Sequence, residues 1–193
     1  EEEFENAQSH ALTILQKTKK LRARSSFKHD ASKRTRSRIG FLSSDFRNHA
    51  VGHQILGLLQ NIDRAKFEIF VYCTNHKDDS RIQKQIESEC ESFKILVEKS
   101  LSSRAIIIFN DDLDLLVDLG GFSRGHNAEL LALRPAPRQA HYLGYASSMG
   151  KGLVDYIIAD RLVIPPLSSK FYGEQVIRMD GCFFPPGDFE GFA

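Results

Sequence analysis

The sequence predicts a three-layer α/β domain, a parallel sheet covered by helices on both faces, and three observations predict it. Apolar runs of strand length recur along the chain, as in Phe67-Glu68-Ile69-Phe70-Val71-Tyr72. Between them lie segments such as Val51, Ile55, Leu58 and Leu59, where apolar residues return at helical spacing. The 193 residues are enough for one domain with a substantial core. Repeated strand–helix units need crossover connections, and crossovers build parallel sheets.

Glu1 to Leu21 puts Phe4, Ala7, Ala11, Ile14 and Leu15 on one stripe, with acids early and Lys17, Lys19 and Lys20 late, a polarity that suits the helix dipole. This reads as one amphipathic helix. From Lys17 to Arg38, ten of twenty-two residues are Lys or Arg among Ser, Thr and Ala, so a basic, flexible linker is expected. The rest, Ile39 to Ala193, carries sixteen basic and twenty acidic residues; the net charge of +1 hides a cationic tail on a mildly acidic domain. Residues 1–38 are read as helix and linker, and 39–193 as the folded domain. With no aromatic but Phe27 among these cations, a solvated linker is favoured over a nucleic-acid contact.

The first α/β unit is Arg38 to His53, running on into the helix of Val51 to Leu59. It passes from an apolar run through a polar turn rich in capping residues. A strand over Phe67–Tyr72 follows, then a helix over Ser80–Cys90 with Ile82 and Ile86 inward, and a strand over Phe93–Val97. Ser100–Phe109 is read as a helix, because Ser102 and Ser103 precede its isoleucines and Asn110-Asp111-Asp112 stops it. Next come strand Leu113–Leu119, helix Asn127–Leu133, strand Gln139–Leu143 and strand Val154–Ala159. Pro135 and Pro137 end the preceding helix, and the segment from Arg134 is architectural. Beyond Asp160, Pro165-Pro166 and Pro185-Pro186-Gly187 predict extended segments on the surface, with Phe171, Tyr172, Phe183 and Phe184 as anchors.

In such a sheet, ligands sit where the chain leaves the carboxyl ends of strands and the next helix presents unpaired N–H groups. Asp45, Asn48, His49 and His53 crowd the first such end. A histidine in the first helical turn feels the positive end of the dipole, so His49 is expected to be neutral and able to accept a proton, with Asp45 orienting it or sharing the role. The plainer reading is that Asp45 or Asn48 caps the helix and His49 packs. His49 and His53 have metal-ligand spacing, but no Glu follows His49 and no third ligand is evident, so no metal is expected. The loops Gly120–Gly125 and Gly144–Gly150 also follow strands, and their glycines let a backbone approach a ligand closely.

The first of these turns, Ser43-Ser44-Asp45-Phe46-x-Asn48-His49-x-x-x-His53, resembles the start of the catalytic region of the O-GlcNAc transferase and SPINDLY family. Asp118-Leu119-Gly120-Gly121-Phe122-Ser123-Arg124-Gly125 is similar to the family's Gly-aromatic-Thr/Ser loop. Leu133-Arg134-Pro135-Ala136-Pro137-Arg138-Gln139, running to Leu143-Gly144-Tyr145, is similar to its Arg-Pro-Ala-Pro-x-Gln…Leu-Gly-Tyr run. Asp155-Tyr156-Ile157-Ile158-Ala159-Asp160 is a further match, and the likeness covers about residues 38 to 185.

The resemblance implies the amino-terminal Rossmann-like lobe of a GT-B glycosyltransferase. It implies metal-independent, inverting transfer of a sugar from a nucleotide donor, UDP-GlcNAc or for SPINDLY GDP-fucose, to Ser or Thr of intracellular proteins. The donor is a substrate, so no cofactor is implied. His49 and Asp45 then take the catalytic roles. Asn48 and His53 support the sugar or the helix end, Leu143 and Gly144 line the sugar pocket by close backbone contact, and Gly121 and Arg124 belong to the substrate loop. The nucleotide and the Lys that neutralises its diphosphate fall on a carboxyl-terminal lobe, so the isolated chain is expected to be inactive. A helical repeat array precedes such regions, and Glu1 to Leu21 is its possible last helix.

Three well-spaced cysteines without a C-x-x-C pair read as reduced thiols, and no apolar run reaches the length of a membrane span. A cytoplasmic protein is expected. Two other classes stay open: a non-catalytic interaction module built on a glycosyltransferase lobe, and another nucleotide-binding α/β domain. The second lacks both a G-x-G-x-x-G after its first strand and a Walker motif.

Overall fold

The computed structural model describes residues 2–25, 27–29 and 34–185. Helix α1 is Glu2–Arg24, α2 Ala50–Asn61, α3 Arg81–Ser88, α4 Leu101–Asn110 and α5 Ala128–Ala132. The strands are β1 Ser37–Ser43, β2 Phe67–Cys73, β3 Ser92–Ile95, β4 Leu115–Asp118, β5 Gln139–His141, β6 Tyr156–Ala159 and β7 Gln175–Arg178, and a 3-10 helix spans Pro166–Phe171. All seven strands run parallel in the order β3-β2-β1-β4-β5-β6-β7. The fold class read from the sequence is the one observed. Among the described residues, no helix is long and apolar enough to cross a membrane.

Alternation along the strands separates two cores. Phe41, Ile69, Val71 and Val117 meet Ile55, Leu56 and Leu59 of α2 and Ile82 and Ile86 of α3. Leu42, Phe70, Tyr72 and Leu116, one position away, meet Ala11 and Ile14 of α1, Ile108 of α4 and Leu130 and Leu131 of α5. A one-residue slip in β1 would exchange every contact, so the register is strongly specified.

Helix α1 passes the expected Leu21 and runs to Arg24, so the first part of the expected linker is helical. Lys and Arg are good helix formers, and cations in the last turn offset its unpaired carbonyls. Ala7, Ala11, Ile14 and Thr18 form the buried stripe, and Thr18 satisfies its hydroxyl on the Ile14 carbonyl at 2.8 Å. The described residues that follow are tied down: the Phe27 ring stacks on Phe109 at 4.5 Å, and Arg36 and Arg38 both pair with Glu68. Expected linker residues 26 and 30–33 lie outside the described residues.

The cap of α4 is Ser100, whose hydroxyl accepts from the Ser103 N–H. Strand β5 ends at His141, short of the expected Leu143, because Leu143 has φ +79 and turns the chain out of the sheet. The segment after Asp160 is more regular than expected, since it forms the 3-10 helix and adds β7 to the sheet. Phe171 and Tyr172 pack on Phe4 of α1, and Phe183 is buried under a 2.7 Å hydrogen bond from the Tyr142 hydroxyl to its carbonyl. Phe184 stays half exposed, and Pro186 to Ala193 lies outside the described residues. Arg134 donates to Asp155 at 2.7 Å and to the Pro137 carbonyl, which ties the proline segment to β6.

Candidate functional site

Strand order reverses between β1 and β4, the place where an open parallel sheet leaves a crevice at its carboxyl edge. A cleft of about 630 Å³ opens there. The turn after β1 contributes Asp45, Arg47 and His49; the end of β2 contributes Thr74 and Asn75; the loop after β4 contributes Ser123, Arg124 and Gly125; the loop after β5 contributes Gly144. Three separate sequence motifs thus meet in one concavity.

His49 is the N-cap of α2 itself, with extended backbone, and its Nδ1 accepts the Val51 N–H at 3.2 Å. A backbone N–H can only donate, so Nδ1 presents a lone pair and neutral His49 carries its proton on Nε2. Nδ1 thus serves the helix, and Nε2 is the ring nitrogen that the cap leaves over. Asp45 does not orient it. Its Oδ1 accepts from Arg47 at 3.1 Å, and its own N–H donates to the Ser43 hydroxyl.

His53 is buried and bonds the Asn48 side-chain oxygen at 2.8 Å, so its Nε2–H is the donor. Asn48 is exposed and does not line the cleft. Their mutual bond braces the amino-terminal end of α2. Nδ1 of His49 and Nε2 of His53 are each engaged in a local bond.

Gly121 lies behind the cleft wall. It has φ +53, its N–H donates to Asp118 Oδ2 at 2.7 Å, and a Cβ there would lie 2.5 Å from Tyr145 Cβ. Arg124 is exposed at the cleft mouth. The Leu143 side chain packs in the core rather than lining the cleft, since its left-handed backbone turns it back under the sheet edge, whereas the contact expected of it was through the backbone. Gly144 does line the cleft, and a Cβ on it would meet the Leu119 carbonyl at 2.2 Å. Close backbone approach at this position therefore requires glycine.

Sequence reasoning missed Thr74, Asn75 and Arg47. The polar run directly after the apolar β2 was the available signal, since every strand on either side of the reversal sends its carboxyl end to the same crevice.

Residues 2–192 match the family described as Glycosyl transferase family 41. The chain belongs to that family. It is 33% identical over 150 residues to the UDP-N-acetylglucosamine–peptide N-acetylglucosaminyltransferase of Caenorhabditis elegans, covering 77% of this chain and 13% of the relative. It is 32% identical over 149 residues to a protein of Arabidopsis thaliana named as a probable enzyme of the same kind, SEC, covering 77% and 15%. The fold superposes on an O-GlcNAc transferase mutant of Thermobaculum terrenum with a TM-score of 0.75 and 27% identity, over 82% of this chain and 31% of that one. Its three-layer sheet is thus a GT-B lobe. The chain spans about a sixth or less of the length of these curated relatives.

Proposed function

We propose that this chain is the acceptor-side lobe of a protein O-glycosyltransferase that uses UDP-GlcNAc. The observation that carries the reading is the convergence of the Asp45–His49 turn, the Ser123–Gly125 loop and Gly144 on one cleft at the sheet's reversal point, in a member of family 41. Relatives named for transfer from UDP-N-acetylglucosamine to peptide support the donor and the acceptor class.

Transfer requires three things: an aligned hydroxyl, a destination for its proton, and stabilisation of charge on the departing diphosphate. In the proposed reaction the Ser or Thr oxygen attacks the anomeric carbon from the face opposite the diphosphate, giving inversion. The bond from that carbon to the diphosphate oxygen breaks, and its electron pair leaves with UDP. The hydroxyl proton passes to the Asp45 carboxylate, directly or through a water. The His49 Nε2–H donates to a donor-sugar or diphosphate oxygen, a bond that gains strength as negative charge develops. Gly144 and Gly125 let the backbone lie against the sugar. No step requires a metal or a cofactor. The nucleotide and a diphosphate-neutralising lysine belong to a second lobe, so the isolated 193-residue chain has no transfer activity of its own. The setting is intracellular, where Ser and Thr of cytoplasmic proteins are the acceptors.

The test is transfer of labelled GlcNAc to a Ser/Thr peptide by the two-lobed parent protein. Asp45→Asn should lower kcat by at least about a hundredfold, the usual worth of a positioned acid–base group, with little change in KM for the peptide. A parent that transfers no sugar, or an Asp45→Asn variant with undiminished kcat, overturns the reading.

A further inference from the structure

Among the described residues, six buried side-chain polar atoms have no hydrogen-bond partner. Three are the oxygens Gln85 Oε1, Asp118 Oδ1 and Gln139 Oε1, which accept, and a fourth is Nδ1 of His141, whose proton sits on the Nε2 that bonds the Tyr145 carbonyl. The remaining two can donate: the Nε–H of Arg47 and the hydroxyl of Thr74. Both residues line the cleft. A buried donor without an acceptor is costly, and two in one cleft are satisfied together by an acceptor that binds there.

The charges agree with the donors. One carboxylate, Asp45, and two guanidiniums, Arg47 and Arg124, line the cleft of a domain that is otherwise mildly acidic. Asp45 Oδ1 takes one contact from Arg47 Nη2, at 3.1 Å, which leaves the other donors of that guanidinium uncommitted. Arg124 makes no hydrogen bond or ion pair among the described residues.

The three residues gather around Ser43 and Ser44. Thr74 donates its N–H to the Ser43 carbonyl at 3.0 Å, and a Cβ on Gly125 would stand 3.5 Å from Ser44 Oγ. The end of β2 and the Arg124 loop therefore both abut the turn that carries Arg47. That turn is fixed from behind: the buried Gln83 side chain donates to the Phe46 carbonyl at 2.9 Å, and Gly52 of α2 lies so close that a Cβ would collide with the Arg47 carbonyl.

We infer that Arg47, Thr74 and Arg124 form a site for one anionic group, a carboxylate or phosphate, carried by the acceptor as an acidic or phosphorylated residue close to the target Ser or Thr. The anion site stands on these groups alone, while its assignment to the acceptor rests on the function proposed above. In a displacement with inversion, the base and the departing diphosphate lie on opposite faces of the anomeric carbon. Arg47 holds Asp45, the proposed proton acceptor, so an anion on its remaining donors lies on the acceptor's side.

Binding to the 193-residue chain is read by NMR titration at low salt. The probes are Ser peptides with one Glu walked through the flanking positions, and the same peptides with Gln. At the favoured position Glu should bind at least about tenfold tighter, the size expected of a charge-assisted hydrogen bond, and should move the Arg47 Nε–H resonance. Phosphoserine there should do the same. Thr74→Val removes an orphaned hydroxyl at nearly constant shape, so it should cut the Glu preference several-fold while the melting temperature holds or rises. Arg47→Gln and Arg124→Gln should each erode the preference, and Arg124→Glu should turn it toward a Lys peptide, a gain that unfolding cannot produce. Equal affinity for Glu and Gln peptides overturns the inference. So does an Arg47 Nε–H that answers UDP or inorganic pyrophosphate but no Glu peptide, which gives the anion to the donor.

In the two-lobed parent, kcat/KM for transfer should favour the Glu peptide by about tenfold, mostly through KM, and Arg124→Gln should lose that preference. Transfer without preference overturns the acceptor assignment. A parent that transfers no sugar rejects the proposed function and leaves the anion site standing on the binding result.

Discussion

Substituting His49 separates two duties that the structure assigns to one ring. Its Nδ1 caps α2 through the Val51 N–H, and in the proposed reaction its Nε2–H is the donor to the sugar or diphosphate. Removing a side-chain cap costs about 1 kcal/mol, within a range of roughly 0.5–2. For a chain of this size that lowers the melting temperature by about 2–4 °C per kcal/mol. His49→Ala should therefore melt a few degrees lower and also lose transfer in the parent protein. His49→Asn behaves differently, because asparagine is among the best N-caps and its oxygen can take the same N–H. It should keep the melting temperature while removing the donor. Losing a donor that acts on developing charge costs roughly 10²–10³ in kcat. The measurements are thermal unfolding by circular dichroism on the 193-residue chain and sugar transfer by the parent. Full turnover in His49→Asn refutes the donor role, and an unshifted melting temperature in His49→Ala refutes the cap.

Gly121→Ala should destabilise by about 2–5 kcal/mol, since a left-handed backbone and a Cβ 2.5 Å from Tyr145 Cβ add strain to overpacking; urea unfolding reads the loss as a lower midpoint at unchanged slope. Asp160 accepts backbone N–H groups from Val163, Phe183 and Leu162, and these bonds, Val163 first, hold its carboxyl below the usual carboxylate range. Its folded value being the lower one, its stabilisation is complete above the unfolded carboxylate pKa and fades as pH falls through the folded one. Asp160→Asn should accordingly melt lower than the unaltered chain at pH 7, and the gap should narrow below about pH 4; a gap independent of pH contradicts this. Burial pushes the Cys90 thiol up to about 11 and raises that of Cys73, whereas Cys182 is exposed. A thiol reagent at pH 7 should label Cys182 first by mass spectrometry, with Cys73 modified only on unfolding.

Legibility from sequence followed the range of the forces involved. Strands such as Phe67–Cys73 were readable because the buried part of a central strand, here Ile69 to Cys73, is a continuous apolar run, and Ser80 marked α3 because its hydroxyl caps locally. Strand β7 was not readable: Gln175 to Arg178 is four residues at the sheet edge, exposed on alternate positions, and only pairing with β6 makes it a strand. The convergence of the motif loops could be read from topology, since every parallel strand delivers its carboxyl end to one edge. Which way a ring faces could not. His49 and His53 differ by one helical turn, yet one lines the cleft and the other is buried, and that was decided by where Asn48 and the Val51 N–H fall. Asp118 and His141 are 23 residues apart in sequence, and nothing in either segment signals that they register opposite each other.

The seam between β1 and β4 also sets an order in time. Ile39 registers with Ile69 in β2, 30 residues on, and with Leu115 in β4, 76 residues on. Closing the longer loop costs about 0.8 kcal/mol more in chain entropy than closing the shorter one, and it must wait until the intervening helices have compacted. The β1–β2–β3 half can therefore collapse first as a unit, while the ligand crevice exists only once β4 and β5 have docked. On a ribosome, the nascent chain would carry Asp45 and His49 long before there was any hollow for them to face.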